Sequence, residues 1–129
     1  LAPGSRVALD SGWCITAELL NGHRMDTPVT RDLWEMAADA AMVSTPLVVR
    51  SARRGDRVRP LGLHGSRKLQ DIFVDRKLPR ESRWSFPVVE AAGEVLWVPG
   101  MVRSDAALIT PATRSTLHLV ARKTGIAGR

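Results

Sequence analysis

Tyrosine is absent from this chain, phenylalanine occurs twice, and aromatic residues make up 5% of its 129 positions. A platform for unstacked bases needs exposed aromatics, each worth about 1–3 kcal/mol per stacked base, and this composition argues against one. Cysteine occurs once, at Cys14. That rules out an internal disulfide and a cysteine-built metal site, and it fits a reducing, cytoplasmic compartment. His23, His64 and His118 stand far apart and match no zinc spacing. The phosphate-binding pattern Gly-x-x-x-x-Gly-Lys-Ser/Thr is missing. Gly62-Leu63-His64-Gly65 comes nearest, but it lacks the lysine and the preceding strand. Long apolar runs are missing too: stretches such as Pro46 to Val49 and Val95 to Pro99 are too short to cross a bilayer, so no membrane partner is expected. The N-terminus lacks the charged-then-apolar pattern of a signal peptide. A chain that starts at Leu1 without Met is expected to be a piece of something longer.

What the chain does contain is charge in one place. A length of 129 residues suits one domain with a sizeable core. Between Arg50 and Arg83 lie eleven basic residues and only four acids (Asp56, Asp71, Asp75 and Glu81), a net of +7. The whole chain carries +6, so the rest is close to neutral. Such concentration points to a polyanionic partner more than a uniformly basic surface would. The plainer alternative is a solvated, arginine-rich face.

Local patterns predict an α+β fold of short β-hairpins with short helices. Ser5 to Leu9 and Trp13 to Leu20 read as a hairpin turning at Asp10-Ser11-Gly12, with Trp13 and Cys14 in the core. Asn21 to Thr30 reads as loop. Asp32 to Met42 is open: its Ala, Met and Leu content favours helix, while Leu33 to Ala37 also suits a strand. Leu47 to Arg50 reads as a strand and Ser51 to Gly65 as a long basic loop. Pro79 opens a helical turn through Trp84. Pro87 to Glu90 and Glu94 to Val98 form a hairpin around Ala92-Gly93, and Thr116 to Ala121 is the last strand. No repeat and no low-complexity segment is visible.

The stretch from Ser66 to Pro79 reads as a helix capped by Ser66, with Leu69, Ile72 and Phe73 on its buried stripe. Arg67 and Lys68 then occupy the first turn, where the helix dipole disfavours cations by about 0.3–1 kcal/mol each. One explanation is a phosphate site built on the free N–H groups of that turn. The other is that Asp71 and Asp75 neutralise the pair through ordinary helical ion pairs. His64 is the one candidate general base. Trp84 suits either a core position under the Pro79 turn or a stack on a terminal base. A basic, aromatic-poor face matches the sugar–phosphate surface of an A-form stem.

Val49-Arg50, Gly55-Asp56-Arg57, Pro60-Leu61-Gly62, Gly65-Ser66-Arg67-Lys68-Leu69, Asp71, Asp75-Arg76-Lys77-Leu78-Pro79, Arg83, Pro87 and Trp97-Val98-Pro99-Gly100 stand in order. This set, strongest from Leu47 to Leu119, closely resembles the C-terminal domain of bacterial tRNA(Ile)-lysidine synthetase. One departure is that Val102 stands where the family usually has a basic residue, with Arg103 one position later.

The resemblance implies a small α+β unit with sandwich-like sheets, similar to a domain of the phenylalanyl-tRNA synthetase β subunit. It implies a lead-in hairpin and connection at 1–45, a tRNA-binding domain at 46–122, and a loose tail at 123–129. The parent enzyme adenylates the wobble cytidine of a minor isoleucine tRNA with ATP and magnesium. The amine of lysine then displaces AMP. That chemistry belongs to an N-terminal domain with an S-G-G-x-D-S loop, which has no counterpart here, so the chain by itself is expected to hold no cofactor and no catalytic residue. Expected partners are tRNA(Ile), contacted at the acceptor stem, and the parent's catalytic domain. The basic residues expected at the RNA are Arg53, Arg54, Arg57, Arg59, Arg67, Lys68, Lys77, Arg80 and Arg83. The alternatives are a free-standing nucleic-acid binder and a module whose basic face meets an acidic protein.

Overall fold

The computed structural model describes residues 1–21 and 33–123. The loop expected after Asn21, together with His23, and residues 124–129 of the expected tail lie outside the described residues. The first hairpin joins β1 (Arg6–Ala8) to β2 (Trp13–Asn21), with Gly12 at φ 96° in the turn. The open segment is a strand, β3 (Glu35–Asp39). It pairs with β10 (Ser115–Lys123), Ala38 opposite Leu117 and Met36 opposite Leu119. Burial of Met36 and Ala38 against that partner outweighs the local helix preference of the sequence. β10 also pairs with β2, so the first sheet runs β1-β2-β10-β3 and the late strand β10 lies between β2 and β3. Lys123, expected in the tail, is the last residue of β10: its backbone pairs with Trp13 and its Nζ sits 5.3 Å from the Trp13 ring centroid.

A second sheet has the order β4-β7-β8-β9, built from β4 (Leu47–Ser51), β7 (Pro87–Ala91), β8 (Glu94–Val98) and β9 (Val102–Arg103). β7 and β8 meet at Ala92 and Gly93, with φ of 50° and 88°, the two left-handed residues of a tight hairpin turn. A bulge after Val89 lets both Leu96 and Trp97 join the core between the two sheets, with Ile15, Met36, Leu47 and Leu119. Val88, Val95 and Val98 belong instead to a core on the other face of the second sheet, with Leu69, Ile72 and Phe73. The layers are therefore sheet, sheet and helix. Trp34 packs against both cores and stacks on Trp13 with centroids 5.3 Å apart. Gly100 lies so close beneath Trp34 that a Cβ there would come within 2.5 Å of the ring.

The segment between β4 and β7 departs from expectation. The presumed loop contains β5 (Arg57–Val58), which pairs with β6 (Arg67–Lys68) in a two-stranded ribbon. Ser66 therefore caps no helix. The helix is α1 (Leu69–Asp75), with Lys68 at its N-cap in extended conformation. Pairing with β5 claims Arg67 and Lys68 for a strand, and the Leu69 N–H donates to the Asp56 carbonyl at 3.0 Å. Neither cation sits in a helical first turn. The apolar stripe is as expected, with Leu69, Ile72 and Phe73 all buried. Lys77 takes φ 58° after the helix; its N–H donates to Val74 O and that of Leu78 to Phe73 O, both at 3.0 Å. This is a Schellman ending with lysine where glycine is usual. Pro79 then caps α2 (Arg80–Arg83).

Candidate nucleic-acid interface

The ribbon sets Arg57 directly opposite Lys68 and Val58 opposite Arg67. Side chains alternate across a strand, so Arg57, Arg59 and Lys68 share the exposed face, while Val58 is buried beneath. Arg57 Nε donates to Ser66 Oγ at 3.0 Å, so Ser66 steadies an arginine rather than a helix. Arg59 stands 3.6 Å from Asp105, with both side chains substantially exposed. Arg67 is half-buried and forms an ion pair with Asp75. For Arg67, neutralisation by a helical acid is thus what the geometry provides.

A second group gathers around the turn after β4. Arg50 makes a two-pronged contact with Asp56, both distances 2.9 Å, and a further one with Glu90 at 3.1 Å. Asp56 also accepts the Arg53 N–H at 2.7 Å. Burial pushes the Asp56 carboxyl up, but the hydrogen bonds from Arg50 and the Arg53 N–H outweigh it and hold the group below the usual carboxylate range. Arg50, hydrogen-bonded to Asp56, is held above its ordinary value against the effect of burial. Arg50 is therefore a half-buried brace for the turn that carries Arg53 and Arg54. The lone acid in the Gly55-Asp56 turn was its only trace in the sequence.

Arg54 lies 4.9 Å over the Trp84 ring, and Trp84 meets Phe73 edge-on with centroids 6.0 Å apart. Half-buried Trp84 thus joins the core on one side and carries an arginine on the other. This contact brings the Arg53-Arg54 turn beside α2, where Arg80 is exposed and Arg83 Nε donates to Leu78 O at 3.2 Å. Of the nine basic residues singled out in the sequence, Arg59 and Arg67 have carboxylate partners; the others form no ion pair among the described residues. Arg103 is different in kind. Burial lowers its pKa, against the pull of Asp105, and its guanidinium serves the carbonyls of Ala37, Ser104 and Ala106. It ties β9 to β3.

A groove of about 880 Å³ runs beside the ribbon, lined by Arg50, Arg57 and Arg59 and equally by Asp56, Glu94 and Asp105. Three charges of each sign line it, and Arg57 and Arg59 are shared between it and the exposed ribbon face. His64 is exposed in the loop closing the ribbon. A Cβ at Gly62 or Gly65 would meet nothing within 4 Å, so these two glycines stand in open space at φ 89° and 87°. Among the described residues no cluster of His, Cys, Asp or Glu is arranged to hold a metal, and no helix is long and apolar enough to cross a membrane.

Residues 47–119 match the model of the TilS substrate C-terminal domain family. The chain is 38% identical over 121 residues to the tRNA(Ile)-lysidine synthase of Symbiobacterium thermophilum, covering 94% of this chain and 25% of that protein. It is 39% identical over 100 residues to the bifunctional TilS/HprT protein of Listeria monocytogenes, covering 77% of this chain and 15% of the other. The chain thus spans a quarter or less of the curated relatives it matches. A crystal structure of a TilS C-terminal domain superposes with a TM-score of 0.82 at 33% identity, covering 98% of this chain and 95% of that one. An N-terminal fragment of the phenylalanyl-tRNA synthetase β subunit from Pyrococcus horikoshii shares the fold, with a TM-score of 0.65 at 16% identity over 83% of this chain and 38% of the fragment. The ordered residues from Val49 to Gly100, the two stacked sheets and these matches lead to one conclusion: the chain belongs to the TilS C-terminal domain family, the C-terminal domain of tRNA(Ile)-lysidine synthases.

Proposed function

We propose that this chain is the tRNA-binding part of a cytoplasmic lysidine-forming ligase and holds the acceptor stem of tRNA(Ile) through phosphates. The observation that carries this is the ribbon face, where Arg57 and Lys68 stand opposite one another without a carboxylate partner among the described residues. Like charges placed directly across a sheet are destabilising, and a phosphate between them removes the repulsion. Arg53, Arg54, Lys77, Arg80 and Arg83 extend the surface. Each phosphate neutralised releases counterions, which supplies affinity without base readout.

ATP, with magnesium, and the amine of lysine act in the parent's N-terminal domain. There ATP activates the wobble cytidine, and the work of this chain is to hold the distant stem so that the anticodon reaches that site. Proximity alone supplies a large part of such a barrier reduction. Filter binding with tRNA(Ile) against duplex DNA of equal length tests the proposal. The chain should prefer the tRNA and form no lysidine when given ATP and lysine. Equal binding to both nucleic acids would favour the free-standing binder, and binding to neither would leave an acidic protein as the partner.

A further inference from the structure

Leu61 and Leu63 are 48% and 56% exposed at the end of the ribbon. The other large exposed apolar residues among those described, such as Met42, Val74 and Leu108, are scattered singly along the chain. Single exposed apolar residues need no explanation. Two in one short loop, at the end of a ribbon whose exposed face carries Arg57, Arg59 and Lys68, do.

The loop that carries them is held in place. Pro60 pairs with Ser104, the Leu61 N–H donates to Arg103 O at 3.0 Å, and the Asp105 N–H donates to Arg59 O at 2.9 Å. The Leu63 N–H closes a turn onto Pro60 O at 3.2 Å. Arg103 is itself fixed to Ala37 and Ala106. Arg59 lies just before the two leucines, and Arg67 and Lys68 just after. The tip is an apolar point on a fixed backbone, at the end of the ribbon whose exposed face carries Arg57, Arg59 and Lys68.

We infer that Leu61 and Leu63 pack on the exposed face of the terminal base pair of an RNA stem, while the cations of the ribbon face hold the last phosphates. The inference rests on the RNA-binding function proposed above and adds what meets the RNA besides its phosphates. The basic ribbon face selects a polyanion, and the leucines require an apolar surface on it. In an A-form duplex the major groove is too narrow for side chains and the minor groove presents hydroxyls. A flat apolar face is available at the end of the stack. Apolar side chains, leucine among them, are used elsewhere as wedges against base steps. Two leucines give too little apolar area to anchor a protein in a bilayer.

The test uses the full 129-residue chain and two RNAs. One is a short blunt-ended hairpin and the other is the same stem closed by a loop at both ends, which has no exposed terminal pair. The parent should bind the blunt hairpin about tenfold more tightly. Leu61→Ser with Leu63→Ser, at exposed positions, should melt like the parent and bind both RNAs alike. Its salt dependence should match that of the parent, because no phosphate contact is lost. An equal preference for the blunt hairpin in parent and variant would overturn the inference. So would a variant that loses affinity for vesicles of phosphatidylserine and phosphatidylcholine but not for the blunt hairpin, which would assign the tip to a membrane surface. Arg57→Glu with Lys68→Glu separates the two levels: if that variant loses RNA and the serine variant does not, this inference alone falls, and if neither change alters RNA binding, the ribbon falls as the RNA site as well.

Discussion

Arg57 and Lys68 are cross-strand partners in a ribbon only two residue pairs long, so two cations share one exposed face. Opposite charges at such a site would contribute about 0.2–1 kcal/mol, and like charges cost a similar amount. Lys68→Glu should therefore leave thermal stability equal to or above that of the parent while tRNA binding weakens. A fall in melting temperature would mean that Lys68 supports the fold instead.

Lys77 offers the same trade in backbone form. It occupies the left-handed position after α1 at φ 58°, where a non-glycine residue costs about 1–2 kcal/mol. Lys77→Gly should raise the stability measured by urea denaturation by about 1 kcal/mol and should weaken tRNA binding. A variant that is stabilised with unchanged tRNA affinity would remove Lys77 from the interface.

The sequence carried both hairpins, the buried stripe of α1 and the concentration of charge, because each is local: a turn residue, a periodicity, a count. The ribbon was hidden. Its strands are too short to show an alternation, and the pairing of Arg57 with Lys68 spans an eight-residue connection that no local signal announces. Ser66 and Pro79 looked like helix boundaries, and the ribbon overrode the first of them. The strand at Glu35–Asp39 was ambiguous for a similar reason, since only its partner in β10 decides it. Where Arg67 pairs with Asp75, the choice between a ligand site and an internal ion pair depended on geometry that spacing could not supply.

Trp97 is fully buried, and its Nε1–H donates to Leu33 O at 2.9 Å, the same carbonyl that accepts the Gly100 N–H. Trp97→Ala should cost about 3–5 kcal/mol, as large aromatic truncations do, read from denaturant midpoints. A variant that melts like the parent but loses tRNA would place Trp97 at the interface rather than in the core.

The Asp56 carboxyl sets an acid limit. Its pKa is depressed from the ordinary 3.8, so its contribution is full above that value and is lost as pH falls through the folded-state value. The parent should lose stability steeply below about pH 4, where Asp56→Asn, less stable at neutral pH, should lose less. Parallel acid profiles for the two proteins would show that the contact between Arg50 and Asp56 carries no such linkage.

The salt dependence of tRNA binding tests the phosphate-holding ribbon most directly. Log K against log salt should be measured for the parent and for Arg57→Glu with Lys68→Glu, with melting curves confirming that both are folded. Loss of two phosphate contacts should make the slope shallower by roughly 1.4–1.8 and weaken binding at every salt concentration. An unchanged slope and affinity in a folded variant would contradict the account.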